Sequence, residues 1–281
     1  MSELSDSTTW FDEINLDPGV SWLRMGTRQL GERPWLIQDQ HRVDELALKH
    51  QLCTERHDEV FAASEDASEP SAAVLELVLE ALAAAGVGHP PAITDLHPLD
   101  AAGRLIQEDL CLLRRDVAGW VLAAASLCFP SRWRLADKMG RPLAGVHQPV
   151  TGYDTELGSR VDSLFDALTD QIVWRRNWFI HPDANLFQPD RPAGGDPTIP
   201  AERCMGELVV RSERQTLRAL PTPGWVLFTI RTQQASLGQF LESAERQATF
   251  IQFLDEATAE HTAHLGLTAD QVHELGSALA T

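Results

Sequence analysis

The sequence predicts an α+β fold: an antiparallel sheet with helices packed on it. Three observations lead there. Alanine- and leucine-rich helical periodicity fills the first third of the chain. Paired apolar runs separated by turn residues occupy the middle and reappear near residues 206–232, and helical periodicity returns at the C-terminus. The order is helices, strands, one central helix, strands, helices, with no internal repeat and no low-complexity segment.

Residues 1–40 read as an irregular N-terminal segment, with prolines at 18 and 34 and glycines at 19, 26 and 31. Residues 41–281 read as one domain. "HRVDELALKHQLCTERHDEVFAA" (41–63) carries Val43, Leu46, Leu48, Leu52 and Val60 near helical spacing. "SEDASEP" is a polar loop, and "SAAVLELVLEALAAAG" is a helix that stops at Gly86. "LIQEDLCLLRRD" and "GWVLAAASLCFP" (105–130) form a hairpin. After a Gly/Pro-rich stretch to Tyr153, "ELGSRVDSLFDALTDQIVWRRNWF" (156–179) reads as one central helix through Val161, Leu164, Phe165, Leu168 and Ile172. A long Pro/Gly loop follows. Strands are then expected at "GELVVRSERQTLRAL" and "WVLFTIRT" around the turn "PTPG", and helices around 238–261 and 268–280.

Composition narrows the function. The chain of 281 residues carries a formal charge of −18, which disfavours nucleic acid and anionic membranes as partners. The four cysteines (53, 111, 128 and 204) show no CxxC spacing, so neither a structural zinc site nor an iron–sulfur cluster is expected within the chain. The N-terminus "MSELSDSTTW" lacks signal-peptide character, and the longest apolar run is too short for a bilayer. A cytoplasmic location with reduced thiols is expected. Dinucleotide, phosphate-loop, serine-hydrolase and HExxH signatures are all missing.

Four groups of residues carry possible chemistry. His147, in "GVHQPVTGY", has Pro149 two positions on, which stiffens the backbone beside it. That suits an axial metal ligand, or a histidine hydrogen-bonded within its own loop. "WRRNWFIHP" (174–182) offers Arg175 and Arg176 as carboxylate clamps, Trp174 and Trp178 on one helical face, and His181 as the rival ligand. The same cluster suits the C-terminal end of a helix. On the strands, Glu213 could pair with Arg231 or Arg214, or the three could orient a substrate and deliver protons. In "EHTAHLG", His261 and His264 could share a helix face as metal ligands or form a solvated helix end.

Taken together, "WLRMGTRQL", "WLIQDQ", "LIQEDLCLL", "ASLCFPSRWRLADKMGRPLAGVHQPVTGY", "RRNWFI" and "RSERQTLRALPTPGWVLFTIRT" resemble the haem-dependent oxidative N-demethylase family over roughly residues 20–240. The resemblance implies a PAS-like antiparallel sheet flanked by helices, with N- and C-terminal helical extensions, binding haem b. It implies a monooxygenase that removes an N-methyl group from a small amine, with O2 as co-substrate and electrons from a separate flavin and iron–sulfur reductase. His147 becomes the expected iron ligand and His181 the second choice. Tyr153, Arg175, Asn177 and Trp178 join it as cofactor-binding residues. Glu213 is expected to hold a cationic amine, and Arg214 and Arg231 to steady oxygen or a substrate carboxylate. Where tyrosine is expected after "FTIRT", this sequence has Gln233, which allows a different substrate if that position lines the pocket. The alternatives are N-hydroxylation of an amine or guanidine compound such as an amino acid, and a haem or gas sensor without turnover.

Overall fold

The computed structural model describes residues 9–20, 26–88, 95–117, 119–142 and 155–280. Among these residues, seven strands form one antiparallel sheet: β1 (Arg28–Gln29), β2 (Phe61–Ala63), β3 (Asp109–Asp116), β4 (Gly119–Ser126), β5 (Val173–His181), β6 (Val209–Ala219) and β7 (Trp225–Ser236). They lie in the order β1-β5-β6-β7-β3-β4-β2. Renumbered by chain position, the five long strands β3 to β7 run 2-1-5-4-3 across the sheet, the order of a PAS-like sheet. The expected α+β class is what the chain adopts.

The hairpin expected at 105–130 is β3–β4. Every residue of β4 is buried, because both faces of the sheet are covered there, which is why "GWVLAAAS" reads as a continuous apolar run. On one face, here the inner face, α3 (Ser68–Ala84) lays Val74, Val78 and Leu82 against Leu110, Leu112 and Leu227, together with α4 (Pro98–Gly103). The helix α3 ends at Gly86, whose φ of 67° lets Val87 N–H reach Leu82 O at 2.9 Å and Gly86 N–H reach Ala83 O at 3.0 Å. Farther along the same face, Trp178, Ile180 and Val210 meet Phe240, Phe250 and Phe253 of the C-terminal helices. Trp10 and Phe11 of the N-terminal segment belong to that same core.

The opposite, outer face is covered by the loop after β4 and by α5 (Thr155–Asp166), which seats Phe165 beside Leu113, Trp120, Leu217 and Val226. Gly119 makes the docking possible: a Cβ there would lie 2.9 Å from Asp162 Oδ2. Asp166 Oδ1 then accepts the Trp120 indole N–H at 3.0 Å.

Three expectations need correction. The central helix ends at Asp166, and "VWRRNWFIH" is the strand β5, not a helix C-terminus. A four-residue spacing returns to the same face in a strand as it does in a helix, so the spacing of Trp174 and Trp178 fits both. What selects the strand is register: β5 pairs with β6 along its whole length, from Val173↔Leu217 to His181↔Val209. The helix expected over 41–63 is α1 (Arg42–Glu55) and a short turn of helix, α2 (His57–Val60). Its last three residues are β2, paired with β4. The C-terminal helix around 238–261 is three pieces: α7 (Leu237–Phe240), α8 (Ala244–Glu256) and α9 (Ala259–His264). A short helix, α6 (Ala201–Glu207), ends the Pro/Gly loop and packs against α10 (Ala269–Leu279), where Gln271 exchanges two hydrogen bonds with the Ile199 backbone.

Candidate functional site

Alternation along β5, β6 and β7 sorts the polar residues between the two sheet faces. Cross-strand rows put Arg176, Arg214 and Arg231 on the inner face. Asn177, Glu213 and Thr232 form a row on the outer face, next to the row of Arg175, Gln215 and Ile230. Glu213 and Arg231 therefore point to opposite sides of the sheet, and the ion pair considered between them does not form.

The inner-face arginines fasten the N-terminal third to the sheet. Arg231 is fully buried. It contacts Asp39 Oδ2 at 2.7 Å and Glu45 Oε2 at 2.8 Å, while Gln107 donates to Asp39 Oδ1 and Glu45 Oε2, each at 2.8 Å. Burial alone would raise Asp39, but Arg231 and the hydrogen bonds outweigh it and hold this carboxyl below its usual range. Arg214 donates to the carbonyls of Trp35 at 2.9 Å and Pro34 at 2.7 Å. Arg176 reaches Glu13 Oε2 at 2.6 Å, Ser212 Oγ at 2.8 Å and Gln233 Oε1 at 3.1 Å. Gln233 is thus buried on the inner face as part of this fastening.

The outer face is built differently. Glu213 is buried, yet its nearest cation among the described residues, Arg211 Nε, is 4.0 Å away. Its close partner is neutral: Gln215 Nε2 donates to Glu213 Oε2 at 3.1 Å, and Gln215 Oε1 accepts from Arg175 Nε at 2.7 Å. Burial raises the Glu213 carboxyl above its ordinary value, and Arg211 and Gln215 only partly offset that. Around it, buried polar atoms lack hydrogen-bond partners among the described residues: Thr232 Oγ1, Arg211 Nε and Gln234 Nε2. Three such atoms on adjacent strands of one face mark a place prepared for something polar. An apolar wall adjoins it, where Ile230 and Phe228 meet Leu135, Trp133 and Met139 of the loop after β4. Arg175, Asn177, Phe179 and Phe228 are only half-buried, so the patch is open toward the β5 side.

His147 and Tyr153 lie outside the described residues. Pro142 pairs with Val121 at the free edge of β4, and α5 covers Leu217. His181, the rival ligand, is buried beside Arg211 and Arg132. Burial and these two cations push its imidazole down to about 3, so it is neutral at physiological pH. Trp178 faces inward, 5.7 Å from the Phe253 ring. His261 and His264 are not a solvated helix end. Both line a cleft of about 290 Å³ at the outer edge of β5, together with Arg175, Asn177 and Trp178. Burial holds His261 low and, with His261 and Arg175 nearby, brings His264 to about 4.

A family model described as haem-dependent oxidative N-demethylase, alpha subunit-like, matches residues 87–268. The chain belongs to that family. A comparison with curated proteins found no match. The matched region contains all five long strands, and with them every outer-face residue named above. The N-terminal stretches "WLRMGTRQL" and "WLIQDQ" fall before it.

The family description indicates haem dependence. On the outer face the apolar cluster of Ile230, Phe228, Trp133 and Met139 lies near the half-buried Arg175 and Asn177, side chains of the kinds that a haem's ring and its carboxylate edge would need. The Thr232 hydroxyl and Arg211 Nε have no hydrogen-bond partner among the described residues. Among the described residues no cluster of three or more His, Cys, Asp or Glu could hold a bare metal ion. A haem iron, held by its ring and an axial side chain, needs none. All four cysteines are free and buried, and among the described residues no helix is long and apolar enough to cross a membrane.

Proposed function

We propose that this chain is the haem-bearing oxygenase component of a system that removes an N-methyl group from a small amine. Electrons would come from a separate reductase or partner subunit. The family description supports haem dependence, oxidative N-demethylation and a subunit role. Overall, the N-methylamine, O2, two electrons and two protons become the demethylated amine, formaldehyde and water. The C–N bond breaks, one oxygen atom ends in formaldehyde and the other in water. That change is balanced only with the external electron source.

One observation carries the substrate side of the reading: Glu213 is a buried carboxyl whose close partner among the described residues is an uncharged amide. Burial raises this carboxyl above its ordinary value, and Arg211, 4.0 Å away, only partly offsets that. A protonated amine placed beside it supplies the missing positive charge and draws the carboxyl into its ionised form. Glu213 then binds and orients the ammonium group, Gln215 fixes the carboxyl through its N–H, and Arg175 fixes Gln215. The apolar wall of Ile230 and Phe228 excludes water from the same place.

Haem, when bound, supplies reductive activation of O2 and oxidation of the N-methyl carbon. The residues that would hold it are His147 at the iron, with Tyr153, Arg175 and Asn177 at its carboxylates. Arg214 and Arg231 are left out of the reaction, since both are committed to the N-terminal segment. Trp178 is left out of the haem contacts because it faces the other core.

The test is direct. Protein from haem-supplemented cells should show a Soret band that shifts on reduction and on CO binding. With a surrogate flavin and iron–sulfur reductase it should release formaldehyde from an N-methylamine in step with NAD(P)H consumed. Glu213→Gln should weaken amine binding by about 2–5 kcal/mol, the cost of losing one member of a buried charge pair. Haem binding with no product would leave a sensor, and absence of haem from folded protein would end the proposal.

A further inference from the structure

We infer that the cleft at the outer edge of β5 is a second binding site, for a compact oxyanion. The cleft shares Arg175 and Asn177 with the proposed haem edge, but the inference is tested at Trp174 and Arg28, which the haem reading does not use.

Trp174 is 2% exposed, and its indole N–H has no acceptor among the described residues. A buried, unpaired N–H costs free energy that a bound acceptor recovers. The indole lines the cleft, with Arg28, Arg175, Arg176 and Asn177. Guanidinium groups crowd its ring: Arg33 at 5.1 Å, Arg28 at 5.6 Å and Arg214 at 5.6 Å from the centroid.

The local charge runs against the molecule as a whole. Three guanidinium groups face two carboxylates in the cleft wall, on a chain of formal charge −18. Glu13 and Arg176 offset each other at 2.6 Å, and Asp17, which accepts the Gly19 N–H at 2.9 Å, keeps its charge, so among the described residues Arg28 and Arg175 outnumber it by one. Arg28, by contrast, makes no ion pair among the described residues, and it is exposed.

Forked guanidinium donors beside an unpaired N–H match a group that presents two or more acceptor oxygens, a carboxylate or a phosphate. The imidazoles of His261 and His264, both held below their ordinary range by burial, add ring surface without repelling it. A volume of about 290 Å³ restricts the occupant to a small molecule.

Titration calorimetry at fixed ionic strength with inorganic phosphate and with benzoate, against a chloride blank, tests this in the whole protein. Wild type should bind at least one of them saturably, and which one it binds identifies the oxyanion class. Arg28→Ala removes the exposed donor. Trp174→Phe keeps an aromatic ring but removes the N–H. Each should weaken Kd at least tenfold while the melting curve of Arg28→Ala stays that of wild type. Binding of neither probe by wild type, or binding by both variants as tight as wild type's, would overturn the inference.

Discussion

Gln215 Nε2 donates to Glu213 Oε2 at 3.1 Å while its own carbonyl oxygen accepts from Arg175 Nε at 2.7 Å, so a neutral amide stands between a buried acid and an arginine at the mouth of the cleft. The arrangement fixes which way the amide points, and it leaves Glu213 stabilised as a carboxylate by one hydrogen bond and by Arg211 at a distance. Burial nonetheless keeps this carboxyl above its ordinary value, and a bound cation would favour its ionised form.

Replacing Gln215 with leucine removes a bond that favours the ionised form, so the Glu213 pKa should rise further. The acid limb of the pH profile for amine binding should move to higher pH, with the alkaline limb in place. A purely structural role for Gln215 would lower activity equally across pH. A parallel drop with no displacement of the limb therefore removes the coupling.

Arg231→Met tests the opposite assignment. Deleting the guanidinium leaves Asp39 and Glu45 buried together with no cation beside them, held by hydrogen bonds from Gln107 and the His41 N–H. The expected loss is about 3–5 kcal/mol of unfolding free energy, read by urea titration. Turnover per folded, haem-loaded molecule should stay within about threefold of wild type, a change of less than about 1 kcal/mol. A collapse of turnover with unchanged stability would return Arg231 to the catalytic role that its place in the sequence first suggested.

How much was legible beforehand depends on the range of the interaction. The outer-face set of Arg211, Glu213 and Gln215 follows from alternation within one strand, which is local. The partner of Arg231 does not: Asp39 lies 192 positions away, and only the folded sheet brings it there. β5 was misread because a four-residue spacing serves helix and strand alike. The short helix at Ala201–Glu207 did leave a signal, since Pro200 occupies its N-cap, but seven residues are too few to show a period. The cleft histidines read as a solvated end because nothing near them in sequence shows that β5 packs alongside. The Phe179 ring lies 5.7 Å from His264.

His264 gives a pH-dependent stability of predictable sign. Its folded value of about 4 is below the ordinary 6.5, so between those values the unfolded chain binds more protons than the folded one. Its contribution is complete above about pH 6.5 and declines as the pH falls through that window toward 4. The unfolding free energy of wild type should therefore drop across the window more steeply than that of His264→Gln. Superimposable slopes in parallel denaturant titrations would show that His264 does not titrate with folding.

The two candidate iron ligands separate in one spectroscopic comparison. His181 sits 4% exposed at the end of β5, its ring 6.1 Å from that of Phe179 and its charge suppressed by burial and then by Arg211 and Arg132. Cutting it to alanine removes buried ring contacts, and about 2–4 kcal/mol of stability should go with them. If His147 is the ligand, as proposed, His181→Ala should still carry the wild-type Soret band in whatever fraction remains folded. His147→Ala should fold with near-normal stability yet lose the band, and added imidazole should restore it by filling the vacated axial position. The reverse pattern, with the band lost in His181→Ala and rescued there by imidazole, would move the iron to the far end of β5. Arg132, Gln188 and Arg211, which surround His181, would then line the haem in place of the outer-face row.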